Sequence, residues 1–538
     1  MVKKFLAVDI ETTGLNFLDD SIRLISAFSE DVDIVTNKIE DLRDQLENRE
    51  ILKIFHNAPF DVSFLRKNGI DVRNYTDTLV MAQVLENKAR GDGRSLAFLA
   101  EKYLGIYMDK SLQNGSNWDA DITEKHREYA RKDAQVTWRL YLGLKEKIAK
   151  ENLEGVLKRE IKALPSVVRL KLDGIKFNFE GWQKVLKEMK SESEKLKAEI
   201  RLICNNNDLN LESPTQVRKA LQSLGLKIES TADNELKKIR DDHAVVPLIR
   251  KYKRKKKNLI AFGSKLKDSI GSDGRLRGDW SLIGTETFRM GCRKPPLQAM
   301  PRAARPYFEA EAGHSLILAD YATIELRILG VITKDPELLR AFKNGEDLHK
   351  KTAGSVFKKE AEEISKLERD VGKIINFGIV YGMSSFGIQK KVSNALEREI
   401  SLTEAENYRR GYFSLYKRVL DYQNSMLKAC YISSLGGRIW RDKDLDKGSV
   451  KRYNYPIQSG MAEGLKESLI LLLKELERNQ SWKLVNVIHD EIILEVPDEE
   501  VEVAKVALEK AMVEGMERIT EKIVPISVDI DARKSWAV

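Results

Sequence analysis

Leu316-Ile317-Leu318-Ala319-Asp320-Tyr321-Ala322-Thr323-Ile324-Glu325-Leu326-Arg327 is the stretch from which the fold reads outward. Residues 315–319 predict a short buried strand whose end delivers Asp320, and the pattern then turns helical, with Ile324, Leu326, Ile328 and Leu329 apolar. A carboxylate at the mouth of an apolar strand points into a cleft. Far downstream, 484–488 and 492–496 are two β-rich runs joined by His489-Asp490-Glu491, which predicts a hairpin with carboxylates at its tip. Asp320 and Asp490 on neighbouring strand ends can hold two Mg²⁺ ions about 4 Å apart, an arrangement that stabilises the attacking and leaving oxygens of phosphoryl transfer. Taken singly, either Asp also fits a turn former.

A chain of 538 residues is too long for one core and suits about two to four domains. Its 42% hydrophobic and 33% charged residues describe a soluble globular protein, and no run approaches the ~20 apolar residues of a membrane span. Residues 1–8 begin like a signal peptide, but Asp9 and Glu11 end the apolar run, so no targeting segment is read. Cys204, Cys292 and Cys430 are too scattered for a disulfide framework or a zinc pattern, which points to a reducing compartment. Residues 1–150 hold 23 Lys+Arg against 25 Asp+Glu, a net of −2, and the other 388 hold 69 against 58, a net of +11. The polyanion-holding part should therefore be the later one.

In the first 150 residues a strand from Lys4 runs into Asp9-Ile10-Glu11-Thr12-Thr13-Gly14, and residues two apart on a strand share a face, so Asp9 and Glu11 project together. His56-Asn57-Ala58-Pro59-Phe60-Asp61 predicts a helix start at Pro59 with Asp61 in its first turn. In the helical run from Glu128 to Trp138, Tyr129 and Asp133 lie four apart on one face. Each fragment alone also suits a solvated charge. Together and in this order they resemble the tyrosine subclass of DEDD exonucleases. The resemblance implies that Asp9, Glu11, Asp61 and Asp133 hold two divalent metals, that Tyr129 orients the attacking water for 3′-to-5′ removal of a nucleotide, and that Asn57 contacts the substrate.

Residues 143–165 alternate in charge on a helical period and are expected to end at Pro165, which puts a domain boundary near 150. From 181 to 203 a long amphipathic helix follows, its stripe supplied by Trp182, Val185, Leu186, Met189, Leu196 and Ile200. Lys251-Tyr252-Lys253-Arg254-Lys255-Lys256-Lys257 packs six cations into seven residues, either a solvated run or a set of phosphate contacts, for which Lys253, Arg254, Lys255 and Lys256 are the candidates.

Arg369, Lys373, Phe377 and Tyr381 recur at steps of four, and a helix turns such a row by only about 40° per step, so the four lie along one slowly drifting stripe. A triphosphate can lie across the two cations while base and sugar pack on the two rings. A basic solvated end followed by an aromatic core end is the alternative.

Three sequences, ADYATIELR at Asp320, the R-x3-K-x3-F-x3-YG helix at Arg369 and IHDE at Asp490, resemble motifs A, B and C of family A DNA polymerases, the bacterial and phage class. Matches between them support this: Thr287-Phe288-Arg289, Leu297-Gln298-Ala299-Met300-Pro301, Asp347-Leu348-His349 and Asn454-Tyr455-Pro456-Ile457-Gln458. The resemblance spans the chain and implies an α/β and α+β multidomain protein. An RNase H-like exonuclease domain (1–150) would precede a right-hand polymerase domain (151–538), with thumb at 165–270, palm at 271–345 and 441–538, and fingers at 346–440. It implies a DNA-templated DNA polymerase with proofreading, taking primer-template DNA and dNTPs and using two Mg²⁺ at each site, with Mn²⁺ able to substitute. It also implies a monomer, open to an accessory processivity factor, in the cytoplasm of a bacterium or from a phage.

By the same resemblance, Asp320 and Asp490 hold metal with Glu491 beside them; Arg369, Lys373 and His349 receive the pyrophosphate; Glu325 and Tyr381 exclude a ribose 2′-hydroxyl; and Arg289, Gln298, Asn454, Gln458 and His489 contact DNA. Phe377 stands where relatives with a Tyr accept dideoxynucleotides, which implies discrimination against them here. Ala322, Thr323 and Val450 depart from residues common in the family, and a 5′-nuclease domain is not expected. The alternative reading is a 3′-5′ exonuclease whose C-terminal half only binds nucleic acid.

Overall fold

Five strands form the first sheet: β1 (Lys4–Thr12), β2 (Ile22–Phe28), β3 (Asp33–Thr36), β4 (Ile51–Phe55) and β5 (Tyr75–Asp77), in the order β3-β2-β1-β4-β5. The structure, a computed structural model, describes residues 4–89, 94–109, 118, 120–442 and 444–537. β1 is central, antiparallel to β2 and parallel to β4, and Leu6, Ala7, Val8 and Ile10 are buried along it. A strand covered on both faces needs such an apolar run. Asp9 and Glu11 interrupt it where the pairing with β4 has ended, and the register with β2 shifts directly after Glu11. The Glu124–Lys150 helix packs across β1 and β2, burying Ala130, Ala134 and Trp138.

A second sheet, ordered 483–488, 491–497, 314–321, 528–533, carries the later carboxylates. His314–Tyr321 lies antiparallel to Glu491–Pro497 with Asp320 opposite Glu491, and Lys483–Ile488 pairs with the same partner, leaving His489 and Asp490 as a two-residue turn with His489 at φ +52°. Two helices, Lys451–Arg478 and Val501–Thr520, lie close together. Gly515 permits this, since a Cβ there would sit 2.4 Å from the Ser468 backbone nitrogen. The close approach lets the buried Tyr321 hydroxyl reach Ser468 Oγ (2.7 Å) and the Met512 carbonyl (2.6 Å), fixing the strand immediately beside Asp320.

The chain divides into two compact units. The first comprises Met1–Asp173, Trp280–Cys292 and Gly313–Ala532 and holds both sheets. Within it the Glu154–Asp173 helix continues through Pro165 instead of ending there, a correction to the sequence reading. Tertiary contacts hold it on both sides of the proline: Glu160 pairs with Lys466 at 2.6 Å and Asp173 accepts from the Leu484 amide at 2.8 Å. The second unit comprises Gly174–Asp279, Arg293–Ala312 and Arg533–Val538. Its core gathers Leu196, Ile200, Val217, Leu221, Val245, Ile249 and Tyr252 between the Phe179–Ile203, Pro214–Ser223 and Val245–Phe262 helices. No helix among the described residues is long and apolar enough to cross a membrane.

Candidate active sites

At the first sheet, candidate ligand oxygens of Asp9, Glu11 and Asp133 lie within 4.8 Å of one another. Asp61, buried in the first turn of the Ala58–Lys67 helix, adds its charge to the same cluster and raises both Asp9 and Glu11. Burial is the largest cause of every shift here: it raises Asp9 and Asp61 well above the carboxylate range, Glu11 to about 8 and Asp133 to about 7. The mutual repulsion of the acids adds to burial at Asp9 and Glu11. Tyr129, one turn before Asp133, interacts with that carboxylate and is itself pushed up, by burial first. Desolvated carboxylates held together at such a cost suit a cation. An all-oxygen donor set fits a hard divalent ion.

Asn57 precedes this helix in the left-handed region (φ +72°), and a residue that sequence reasoning missed holds it there. Buried Asp77 accepts from the Asn57 amide (3.0 Å), the Ala58 amide (2.9 Å) and the Leu79 amide (2.8 Å), so one side chain caps two helices and aims Asp61. Its sequence signal was an Asp between a strand and an apolar helical run, the pattern of an N-cap.

At the second sheet, Asp320 stands opposite Glu491 in the strand register with Asp490 next to it in the turn, and each of the two acids acts on the other's charge, so across the hairpin they do meet. Burial raises both, Asp490 to about 7, with Asp320 and then Glu325 adding to the rise. The second cause at Asp320 is Asp529, another residue that the sequence reading missed. The Ala322 amide donates to the Ser527 carbonyl (3.1 Å), which brings the strand carrying Asp529 beside the end of the Asp320 strand. Arg327 donates to Ser527 Oγ (2.7 Å) and to the Ala322 carbonyl (2.9 Å), tying the two segments. The alternation Val528-Asp529-Ile530-Asp531 was the available signal for that strand. The carboxylates of Asp320 and Asp490 are again oxygen donors of the kind that suits a hard divalent ion, and Asp529 adds its charge beside them.

The Lys366–Val380 helix opens on a capping box between Ser365 and Glu368, buries Val371, Ile375 and Ile379, and turns Lys373 to solvent and Tyr381, its C-cap, outward. Arg369 and Phe377 are half-buried along the same stripe. Arg369 donates to Asp347 (2.6 Å), and Tyr381 donates to Glu325 (3.0 Å), which also faces Arg289 at 3.9 Å. His349 is buried next to Phe377, ring centroids 5.7 Å apart. Its Nδ1 lies 2.9 Å from the Asn376 amide nitrogen, and burial pulls it down to about 4, so near neutral pH it is an uncharged imidazole whose Nε2 keeps the proton.

Asn454 accepts from Gln458 (2.7 Å) one turn on, both half-buried on the Lys451–Arg478 helix, while exposed His489 sits in the hairpin turn beside Asp490. Glu491 is the strand partner of Asp320. Gln298 is half-buried in the Leu297–Ala299 turn of the second unit. Of the basic run, which forms part of the Val245–Phe262 helix, Lys253 donates to the Thr231 carbonyl (2.6 Å), Lys255 pairs with Glu192 and Lys256 with Glu212 (2.6 Å). Three of the four expected phosphate contacts thus have internal partners. Lys251, Arg254 and Lys257 are the exposed cations of that helix.

Two carboxylate clusters on separate sheets, one of them beside a helix of cations and rings, define an enzyme of nucleotide transfer that carries its own exonuclease centre. Residues 180–538 match the description DNA polymerase family A, and residues 2–149 match that of a 3′-5′ exonuclease. The chain is 30% identical to DNA polymerase I of Aquifex aeolicus over 99% of its own length and 96% of that protein. It is 29% identical to DNA polymerase I of Rhizobium leguminosarum and 28% identical to that of Borreliella burgdorferi, spanning 52% and 62% of those longer relatives. The solved POL domain of Pol1 from M. smegmatis, in complex with DNA primer-template and dNTP, has the same fold, with a TM-score of 0.84 over 100% of this chain and 96% of that one at 22% identity. The chain belongs to DNA polymerase family A, with a 3′-5′ exonuclease domain ahead of the polymerase domain. The reading of the C-terminal half as a binding module alone is set aside by that match.

Proposed function

We propose that the protein extends a DNA primer on a DNA template with dNTPs and edits the 3′ end it makes, using Mg²⁺ at both centres, and that it acts as a cytoplasmic monomer. The observation that carries the reading is the strand register that brings Asp320 and Asp490 to one end of the sheet, with the stripe of Arg369, Lys373, Phe377 and Tyr381 tied to it through Glu325. In this reading residues 314–321 and 483–533 belong to the palm, 348–428 to the fingers, and the helices of 179–262 to the thumb.

A pair of divalent ions at each centre would stabilise the attacking and the leaving oxygen. Asp320 and Asp490 hold them at the polymerase centre, with Glu491 and Asp529 setting the local field. The primer 3′-hydroxyl attacks the α-phosphate, and the pyrophosphate leaves toward Lys373 and Arg369, which shifts from Asp347, while neutral His349 donates from Nε2. Glu325, held by Tyr381, closes the space below C2′ of the sugar, and Phe377 packs on the sugar itself. Arg289, Gln298, Asn454, Gln458 and His489 contact the duplex. Lys251, Arg254 and Lys257, the exposed cations of their helix, grip its phosphates first, since Lys253, Lys255 and Lys256 have partners within the chain to leave. At the exonuclease centre Asp9, Glu11, Asp61 and Asp133 hold the ions, Tyr129 orients the attacking water and Asn57 contacts the strand being shortened.

The test is a labelled primer annealed to a template, with Mg²⁺ and with or without dNTPs. Extension with dNTPs and shortening without them are expected. Shortening in both lanes would refute the polymerase reading, and a shifted but unchanged band would refute both.

A further inference from the structure

The end of the Thr78–Glu86 helix, in the exonuclease layer, makes four hydrogen bonds with the polymerase segments of the same unit. Gln83 Nε2, buried, donates to the Ile283 carbonyl (3.1 Å). Asn87 Nδ2 donates to the Ile439 carbonyl (2.6 Å), and Asn87 Oδ1 accepts from Arg438 Nη1 (2.8 Å), which also reaches the Val84 carbonyl (3.4 Å). Arg438 is 1% exposed, burial works against its charge while Glu160 and Glu463 support it, and its guanidinium lies 2.9 Å from the centroid of the Phe288 ring.

Phe288 is fully buried at φ +63°, a left-handed conformation that a bulky residue keeps only where its surroundings impose it. It occupies the turn between residues 284 and 289, closed by Gly284 N–H donating to the Arg289 carbonyl (2.8 Å) and by Arg289 N–H donating to Thr285 Oγ1 (3.2 Å). The backbone of Phe288 sets the direction in which Arg289 leaves that turn, and Arg289 meets Glu325 and Tyr381. A continuous series of contacts therefore runs from the exonuclease helix to the group proposed above to sense the sugar.

We propose that Gln83, Asn87 and Arg438 are positioning residues of the polymerase centre: by clamping the 284–289 turn, Gln83 at the adjoining Ile283 and Asn87 with Arg438 through Phe288, they fix Arg289 against the Glu325–Tyr381 pair, so that the exonuclease layer sets sugar selection by the polymerase. The inference rests on the polymerase reading of that centre. None of the three residues touches a site of chemistry, and each contact is directional, so its removal changes where Arg289 points more than it changes how much apolar surface is buried.

The experiment uses the full chain carrying Asn87→Leu, Asn87→Asp or Gln83→Met, with extension measured on an added Asp9→Ala background so that shortening does not erode the product. For each variant, single-nucleotide incorporation of a dNTP and of the matching rNTP is compared with shortening of a single strand (in the Asp9-intact protein) and with the melting temperature. Asn87→Leu and Gln83→Met are expected to lower the dNTP-over-rNTP preference roughly tenfold, the size of one lost hydrogen bond to a charged or buried group, while single-strand shortening stays within about twofold. Asn87→Asp keeps the acceptor for Arg438 and should keep most of the preference. An unchanged preference in both Asn87→Leu and Gln83→Met overturns the inference. So does a parallel fall of extension, shortening and melting temperature, which is the signature of a purely structural role. Failure of the parent Asp9→Ala protein to extend a primer at all would instead overturn the polymerase reading.

Discussion

Replacing Asp133 by Asn is expected to stabilise the metal-free protein at alkaline pH, although it removes a proposed catalytic ligand. Asp133 is raised from the ordinary 3.8 to about 7, chiefly by burial, and its neighbours Asp9, Glu11 and Asp61 are raised as well. A carboxyl whose folded value lies above its unfolded one binds its proton more tightly in the folded state. Its contribution is therefore intact below pH about 4 and is lost as pH rises through the folded value near 7. At about 1.36 kcal/mol per pH unit the rise at Asp133 costs roughly 4 kcal/mol at pH 8. Asparagine carries no charge to desolvate but interacts less well with Tyr129, a loss of about 1 kcal/mol, so a net gain of roughly 3 kcal/mol remains. At pH 5 most of that cost has vanished and the two proteins should melt nearly together. A divalent ion at about 100 times its Kd restores about 2.7 kcal/mol to the parent and less to a variant lacking one ligand, so the order closes or reverses. Differential scanning calorimetry at pH 5 and pH 8, in EDTA and in Mg²⁺, reads all four conditions. A lower melting temperature for Asp133→Asn at pH 8 in EDTA, equal to its loss at pH 5, would show that the cluster is not held together against its own charge.

Asp9→Ala with Glu11→Ala should abolish shortening and leave extension, whereas Asp490→Ala should stop extension and spare shortening of single strands; gel assays of the two activities decide, and loss of both in either variant would sink the two-centre assignment. Phe377→Tyr should relax discrimination against dideoxynucleotides by roughly ten- to a hundredfold with little change for dNTPs, because a phenol can supply the hydrogen bond that the missing 3′-hydroxyl does not. Equal discrimination in single-nucleotide incorporation would mean that Phe377 does not face the sugar. Neutralising Lys251, Arg254 and Lys257 should weaken primer-template binding on all sequences and reduce the log–log salt slope by about 0.9 per lost contact, while the same change at Lys253, Lys255 and Lys256 should mainly lower the melting temperature. Salt-dependent binding isotherms for the two triple variants would show if the assignment is reversed.

Much of the local architecture was written in short-range pattern. The strand to helix switch after Asp320, the hairpin tip at His489-Asp490, the helix start at Pro59 with Asp61 in its first turn, and the Tyr129–Asp133 face all depend on signals that lie within a few residues of one another. Matching whole motifs in order added roles that no spacing carries. Tertiary structure alone decided what met what. Asp320 lies near Asp490 because the register of two strands far apart in sequence places them at one end of a sheet, and Asp529 joins only because a third strand lies beside them. A Lys-rich run looks uniform in sequence, yet Glu192, Glu212 and the Thr231 carbonyl pair with three of its cations, since long side chains pair with whatever the fold brings near. Pro165 reads as a helix end, and packing against Lys466 and Leu484 carries the helix past it. The link from Gln83 and Asn87 to Arg289 has no sequence signature, because its entry bonds, Gln83 to Ile283 and Arg438 to Asn87, span 200 and 351 residues and the next step runs through the Phe288 ring, and chain periodicity holds no information about such pairs.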